Sequence, residues 1–179
     1  MQINAASKAL GGLLAALGLV AAGGPPAIAD VLSSGANGFQ LRKVVQSPLA
    51  PPAAYRRFIS LRSWWSPEHT YSGKASALSL DARPGGCWCE KLANGGGVRH
   101  MSVSYVDPGR TIVFEGGLGP LQQMGAGGAM TVSFKPSGSG SEVTLTYNVS
   151  GFAPGGLAAI APILDQVLRA QLERFAAAR

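Results

Sequence analysis

The feature that constrains the fold most is a series of alternating segments between residues 87 and 152. Apolar and polar residues alternate along each segment, and a turn rich in Gly or Pro separates it from the next. A period of two is typical of strands with one buried and one solvated face, so the pattern predicts an antiparallel sheet with one wet side. The predicted apolar face contains Met101, Val103, Tyr105, Ile112, Phe114, Met130, Val132, Phe134, Val143, Leu145, Tyr147 and Val149.

The segments before this series predict a strand followed by short helical pieces. FQLRKVVQ at 39–46 alternates as a first strand, and Pro48 ends it. AAYRRFISLRSWW at 53–65 carries apolar residues at helical spacing, with prolines before it that favour a first helical turn. SPEHTYSG then reads as a second helical turn or a loop, and ALSLDARPGG as another strand. The total is about seven strands.

The last segment changes period and predicts a long amphipathic helix. Pro162 either starts the regular part of this helix or kinks it. Arginines lie toward the C-terminus, where their positive charge interacts favourably with the helix dipole. The apolar stripe consists of Ile160, Ile163, Leu164, Val167, Leu168, Leu172 and Phe175.

Composition agrees with one α+β domain. A chain of 179 residues with 46% hydrophobic content can bury a substantial core. Only 13% of residues are charged, and the 25 Gly and 12 Pro indicate many turns, which disfavours an all-helical fold. We therefore expect a single domain over 38–179, preceded by a flexible lead at 30–37.

Residues 1–29 predict a cleaved signal peptide. Lys8 precedes an uncharged apolar run that is too short to span a bilayer, and Ala27-Ile28-Ala29 has the small-x-small pattern of a cleavage site. We expect cleavage after Ala29 and an exported, periplasmic or secreted protein. With Lys8 removed, 14 basic and 9 acidic residues leave a net charge near +5. These basic residues form no dense run, so we expect no nucleic-acid partner, and no cysteine near Ala29 could hold a lipid anchor.

The order of these elements resembles the helix-grip fold of the START-like, Bet v 1-like superfamily (SRPBCC), and in particular its bacterial members related to polyketide cyclases and Hsp90-ATPase-activator-like proteins. The resemblance rests on RSWWSPEHTYSG, on the GG before CWCE, on YVDPGRTIVFEGGLGPLQ, on VTLTY and on LDQVLRAQLERF. It spans roughly residues 39–176, nearly all of the predicted mature chain.

The resemblance implies a curved sheet wrapped around the C-terminal helix, with an apolar cavity between them. The alternative is a core filled by its own side chains. The cavity reading implies binding or carriage of a small apolar or amphipathic molecule, without a cofactor. The residues expected to line the cavity are Trp65, Trp88, Glu90, Met101, Val103, Tyr105, Phe114, Met130, Tyr147, Leu164 and Leu168.

Glu90 is the candidate polar group of this cavity. A two-residue turn at Asn94-Gly95 would pair Glu90 with Arg99 and Trp88 with Met101, which places Trp88 and Glu90 on the apolar face. A carboxylate there could hydrogen-bond a ligand or act as an acid or base. The alternative is that Arg99 simply neutralises it.

The same register places Cys87, Cys89 and His100 together on the wetter face. Two thiols and an imidazole could form a soft-metal site, although no fourth ligand is evident and we expect no metal. A disulfide would need a local kink, because strand residues two apart lie about 6.5 to 7 Å apart. The remaining interpretation is two small residues on an exposed sheet surface.

His69 lies beside the tryptophan pair, either at the mouth of the cavity or as a solvent-facing loop residue. Adjacent helical residues diverge by about 100°, so we expect one of Trp64 and Trp65 to pack under the sheet and the other to be free to meet a ligand or the loop at 116–128. An enzyme of cyclase or dehydratase type would use Glu90 with Tyr105 or His69. A third possibility is a protein-interaction module that uses the outer sheet face.

Overall fold

The computed structural model describes residues 31–177 as an α+β domain in which one curved antiparallel sheet faces a long C-terminal helix. The eight strands lie in the order β1-β2-β8-β7-β6-β5-β4-β3. They are β1 (Val31–Gly35), β2 (Gly38–Ser47), β3 (Leu78–Leu80), β4 (Cys87–Lys91), β5 (Gly97–Asp107), β6 (Thr111–Gly116), β7 (Ala126–Ser137) and β8 (Gly140–Gly151). The helices are α1 (Pro51–Ile59) and α2 (Ala161–Ala177).

This architecture confirms the predicted fold class and adds one strand to the expected seven. The extra strand is β1, which occupies the segment expected to be a flexible lead and forms a hairpin with β2. Strand β2 also pairs with β8 over its whole length, from Gly38 opposite Ser150 to Ser47 opposite Ser141. The predicted signal peptide and its cleavage site lie outside the described residues.

Helix α1 is shorter than predicted, and this changes the position of both tryptophans. Pro51 begins the helix, and Ser60 leaves helical geometry with φ −88° and ψ 56°. Trp64 and Trp65 therefore follow a separate 3-10 turn, Leu61–Ser63, and are not bound by the angular spacing of one helix. Both side chains are buried, with ring centroids 5.4 Å apart. Of the two, only Trp65 also lines the cavity described below, so it is the one that can meet a ligand.

Helix α2 begins at Ala161, so Pro162 lies in its first turn and starts the helix without kinking it. Gln171 Oε1 accepts a hydrogen bond from the backbone N–H of Ser66 at 2.8 Å, and Arg174 Nε donates to the carbonyl of Trp64 at 3.0 Å. Lys43 on β2 forms a buried ion pair with Asp165 on α2. These polar contacts fix the helix against the sheet and the tryptophan segment.

An aromatic cluster fills the interior between the sheet and the C-terminal half of α2. Phe58 lies at its centre, with ring centroids 5.4 Å from Trp64, 6.4 Å from Phe114, 5.7 Å from Phe134 and 5.9 Å from Phe175. No helix in the described residues is both long enough and apolar enough to cross a bilayer.

Candidate functional site

A cavity of about 420 Å³ opens between the first turns of α2, the loop after β6 and the segment after the tryptophans. Its wall is mostly apolar or aromatic, and its polar side chains are few. The lining residues are Trp65, Glu68, His69, Thr70, Tyr71, Trp88, His100, Leu118, Gly119, Pro120, Leu121, Gln123, Ile160, Ile163, Leu164 and Val167. Pockets of this size and character are typical small-molecule sites.

Local hydrogen bonds hold the aromatic wall in place. Trp65 Nε1 donates to the carbonyl of His69 at 2.9 Å, which fixes the indole against the Pro67–His69 turn. The indole of Trp88 packs edge-on against that of Trp65, with centroids 4.9 Å apart. Tyr71 spans the mouth, where its hydroxyl donates to the carbonyl of Gly119 at 3.3 Å.

A buried His100–Glu90 pair lies at the inner side of the cavity. The two side chains meet at 2.9 Å between His100 Nε2 and Glu90 Oε2, and both residues are buried. Glu90 also accepts hydrogen bonds from the backbone N–H groups of Tyr71 (3.1 Å) and Ser72. Of the pair, only His100 lines the cavity, so Glu90 supports the imidazole from behind.

The environment of this pair favours a carboxylate beside a neutral imidazole. Burial opposes ionisation of Glu90, but the hydrogen bonds from Ser72, Tyr71 and His100 outweigh it and hold the pKa of the carboxyl below its ordinary value. Burial lowers the pKa of His100, and the attraction of Glu90 only partly offsets this. The pair can therefore accept or donate a proton, or orient a polar ligand group.

A β-bulge explains why His100 belongs to this site. The predicted register holds at Trp88 opposite Met101, but Cys89 lies opposite Arg99 and Glu90 opposite Val98. His100 is the extra residue, and it faces the interior together with Met101. The expected pairing of Glu90 with Arg99, and of His100 with the cysteines on the wetter face, was therefore wrong.

The cysteines themselves form a disulfide. Their sulfurs lie within bonding distance and their Cα atoms are 5.4 Å apart, closer than two alternate residues of a regular strand. The kink that such a pairing requires is present beside the bulge. Within residues 31–177, no group of three or more His, Cys, Asp and Glu side chains is arranged to hold a metal ion.

The other predicted site residues divide between the cavity and the core. Trp65, Trp88, Leu164 and His69 line the cavity, with His69 exposed at its mouth. Tyr105 does not face the interior as predicted: a second bulge between Val103 and Tyr105 turns it outward, and its side chain is 53% exposed. Six residues are buried but are not among those that line the cavity, namely Met101, Val103, Phe114, Met130, Tyr147 and Leu168.

Sequence reasoning missed the other half of the cavity wall. The missed residues lie on the loop after β6, such as Leu118 and Leu121, and on the first turns of α2, such as Ile160 and Val167. The glycine-rich stretch hid the loop residues, because glycine-rich segments indicate a loop without indicating what it covers. The stripe on α2 was recognised, but its N-terminal part was not distinguished from the core-facing part.

The sequence from 41 to 178 matches the family described as polyketide cyclase / dehydrase and lipid transport. The chain belongs to this family. That assignment confirms the resemblance to the SRPBCC superfamily, and the family description agrees with a fold that holds a small apolar or lipid-like molecule. No curated protein matches the chain.

Solved structures of other proteins share this fold. An uncharacterised protein from Rhizobium leguminosarum is 19% identical, with a TM-score of 0.58, over 80% of this chain and 95% of that one. The Mll3558 protein from Rhizobium loti is 26% identical, with a TM-score of 0.58, over 77% and 94%. The Aha1 dimer from Colwellia psychrerythraea is 16% identical, with a TM-score of 0.54, over 76% and 92%. At identities below 25%, the likeness concerns the fold alone.

Proposed function

We propose that the protein binds and carries a small apolar or amphipathic molecule in the cavity beside His100. The observation that carries this proposal is a cavity of about 420 Å³ with an aromatic and aliphatic wall, in a family whose description includes lipid transport. Burial of the apolar part of a ligand against Trp65, Trp88 and Leu164 supplies the affinity. The few polar groups of the wall fix its orientation.

Two α2 variants test the cavity as the binding site. Val167→Trp places a large side chain in the cavity, whereas Gln166→Trp places the same side chain at the neighbouring position, which is exposed to solvent. We expect Val167→Trp to weaken binding of a decanol probe by about tenfold or more, and Gln166→Trp to leave it unchanged. Intrinsic tryptophan fluorescence and thermal shift measure the binding, and circular dichroism checks the fold.

Native mass spectrometry of the protein purified from its own compartment completes the test. A co-purifying apolar molecule, lost from Val167→Trp, is the expected result. Repeated recovery of empty protein, together with no thermal shift from decanol or from lipids, would overturn carriage. Equal binding by both α2 variants would place the ligand elsewhere on the protein.

A second candidate function is proton-transfer catalysis, which the His100–Glu90 pair favours. His100 would exchange a proton with the bound molecule, and Glu90 would orient the imidazole and stabilise its charged form. Tyr105, an earlier candidate, lies outside the cavity. If the wild-type protein converts the co-purified molecule, His100→Gln should lower kcat by about a hundredfold or more. If the wild-type protein leaves the molecule unchanged, the catalytic function is rejected.

We further propose that the protein acts outside the cytoplasm. The signal-like sequence supports this, as does the Cys87–Cys89 disulfide, because such bonds persist mainly in oxidising compartments. Cleavage after Ala29 would leave β1 complete, since this strand begins at Val31. The mass of the protein recovered from the exported fraction should correspond to residues 30–179, and an intact N-terminus in the cytoplasm would contradict the proposal.

A further inference from the structure

His100 is the polar side chain on the inner, buried side of the cavity wall, and its ring lies between two aromatic side chains. The ring centroid is 5.8 Å from that of Tyr71 and 6.1 Å from that of Trp88. Apart from Tyr71, two other titratable side chains line the wall. These are Glu68 and His69, and both are exposed at the mouth. A ligand that enters with its apolar part against the tryptophans therefore meets His100 as its buried polar partner.

The hydrogen bonds of the pair determine which ring nitrogen a ligand can use. Glu90 accepts hydrogen bonds from two backbone N–H groups, which favours the ionised carboxylate. His100 Nε2 therefore carries the ring proton and donates a hydrogen bond to Oε2. In the neutral imidazole this leaves Nδ1 as an acceptor with a free lone pair. Carboxylate support of this kind fixes both the tautomer and the orientation of the ring.

Nδ1 remains available to a ligand. It makes no hydrogen bond to any of the described residues. In that part of the chain, the fully buried side-chain polar atoms that lack a partner belong to Arg57, Trp88 and Gln171. Nδ1 lacks a partner but is not one of these atoms, so it is not fully buried and a ligand can reach it. An acceptor on a mostly apolar wall is satisfied by a ligand O–H or N–H group.

The charge around the cavity disfavours an anionic ligand. Among the described residues, no Lys or Arg lines the wall, and the one formally charged lining side chain apart from histidine is the carboxylate of Glu68. The Glu90 carboxylate lies directly behind His100. An anion placed against this wall would lose its hydration without gaining a counter-charge, which is costly.

We propose that the cavity selects uncharged amphiphiles that donate a hydrogen bond, with His100 Nδ1 as the acceptor. Hydroxylated or N–H-bearing apolar molecules fit this site, and fatty-acid-like anions do not. The inference rests on the proposed binding function and specifies its ligand class.

Three probes with the same apolar chain test this selectivity: decanol, its methyl ether and decanesulfonate. Decanol donates a hydrogen bond, the ether only accepts one, and the sulfonate is anionic at every relevant pH. We expect wild-type protein near neutral pH to bind decanol about tenfold or more tightly than either of the other probes, because only decanol satisfies Nδ1. The change in tryptophan fluorescence gives the three dissociation constants.

Two variants show whether His100 causes the preference. His100→Phe keeps a planar ring but removes the acceptor, so decanol and its ether should bind within about twofold of each other. Tyr105→Phe removes a polar atom outside the cavity, and it should keep the wild-type preference. If His100→Phe fails to fold, the three wild-type constants still decide the matter.

Each outcome separates this inference from the proposed function. Binding of decanesulfonate or of the ether as tightly as decanol overturns the selectivity but leaves carriage intact. An unchanged preference in folded His100→Phe removes Nδ1 as the acceptor. Failure of all three probes to bind counts against the proposed function itself.

Discussion

Glu90 does more than carry a charge behind the wall of the cavity. Its two oxygens hold the backbone of Tyr71 and Ser72 against β4, and one of them also accepts a hydrogen bond from His100 Nε2. The same carboxylate therefore positions the loop that carries Tyr71 across the mouth and the imidazole that faces the ligand. A buried carboxylate with three hydrogen-bond donors is a stable arrangement that needs no cationic side chain.

Tyr147 anchors the opposite side of the cavity, and its hydroxyl can be tested alone. The hydroxyl donates to the carbonyl of Gly116 at 2.7 Å and accepts from the backbone N–H of Leu118 at 3.1 Å. We expect Tyr147→Phe to lower the free energy of unfolding by about 1 to 3 kcal/mol, because both backbone groups lose a buried partner. Urea denaturation followed by circular dichroism measures this loss.

The pH dependence of stability gives a second readout of the same hydroxyl. Burial raises the pKa of Tyr147 to about 12, so between pH 10 and 12 the native state holds a proton that the unfolded state releases. Stability should fall as the pH rises through this window, and it should fall less in Tyr147→Phe. Equal stability of the variant and the wild-type protein at neutral pH would contradict an anchoring role.

The alternation of residues predicted which side chains face inward wherever the strands are regular. Trp88 and Glu90 both face the interior as predicted, with 2% of each exposed. His100 and Tyr105 were predicted to lie on the wrong faces. His100 is itself an extra residue in β5, and Tyr105 follows a second one. A bulge shifts the period of a strand by one residue, and nothing in the composition of VRHMSVSYV marks where this occurs.

At the scale of elements, the bulged hairpin of β4 and β5 forms the polar side of the cavity. Its turn includes Asn94 in the left-handed region, with φ 67°, followed by Gly95 with φ 78°. The turn pairs Glu90 with Val98, one residue short of the predicted partner Arg99. The bulge at His100 then restores the expected pairing of Trp88 with Met101, so the register error is confined to the end of the hairpin.

The disulfide beside this bulge leads to a prediction on β4. The exported protein, unfolded in denaturant without reductant, should show no reactive thiols, and after reduction it should show the two that belong to Cys87 and Cys89. Because so short a loop restricts the unfolded chain little, we expect reduction to lower the free energy of unfolding by at most about 2 kcal/mol. Thiol titration and denaturation curves with and without reductant measure both effects.

The double variant Cys87→Ser, Cys89→Ser serves as the control for reduction. It should unfold at the same denaturant concentration with and without reductant. Two reactive thiols in the untreated wild-type protein would contradict the disulfide, and they would also remove one of the two supports for export.

At the scale of the whole molecule, the space between the sheet and α2 is divided into a filled part and an open part. The expectation of an apolar cavity between the sheet and the helix and the alternative of a filled core each describe one part. Aromatic side chains close the middle, whereas the first turns of α2 leave the cavity open, with Ile163 59% exposed. The sequence identified the apolar residues of both parts, but how far Phe58 and Trp64 fill the gap depends on side-chain packing in three dimensions.

The buried pair makes the stability of the whole molecule sensitive to acid. Burial lowers the pKa of His100 below its ordinary value of 6.5, so as the pH falls below 6.5 the unfolded state takes up a proton that the native state does not. The hydrogen bonds of Glu90 act in the same direction below its ordinary value of 4.5. Stability should therefore decrease as the pH falls from 6.5, with a slope for His100 of at most about 1.4 kcal/mol per pH unit.

Thermal or urea unfolding between pH 7 and pH 4.5 measures this slope, and His100→Phe identifies its source. The variant lacks the titrating imidazole, so its stability should change less over this interval, while its behaviour below pH 4.5 should still include the contribution of Glu90. A ligand that donates to Nδ1 requires the neutral ring, so affinity for decanol should weaken over the same acid range in which His100 becomes charged. A wild-type protein whose stability rises on acidification from pH 6.5, or matches that of His100→Phe throughout, would show that the imidazole is not held neutral by its surroundings.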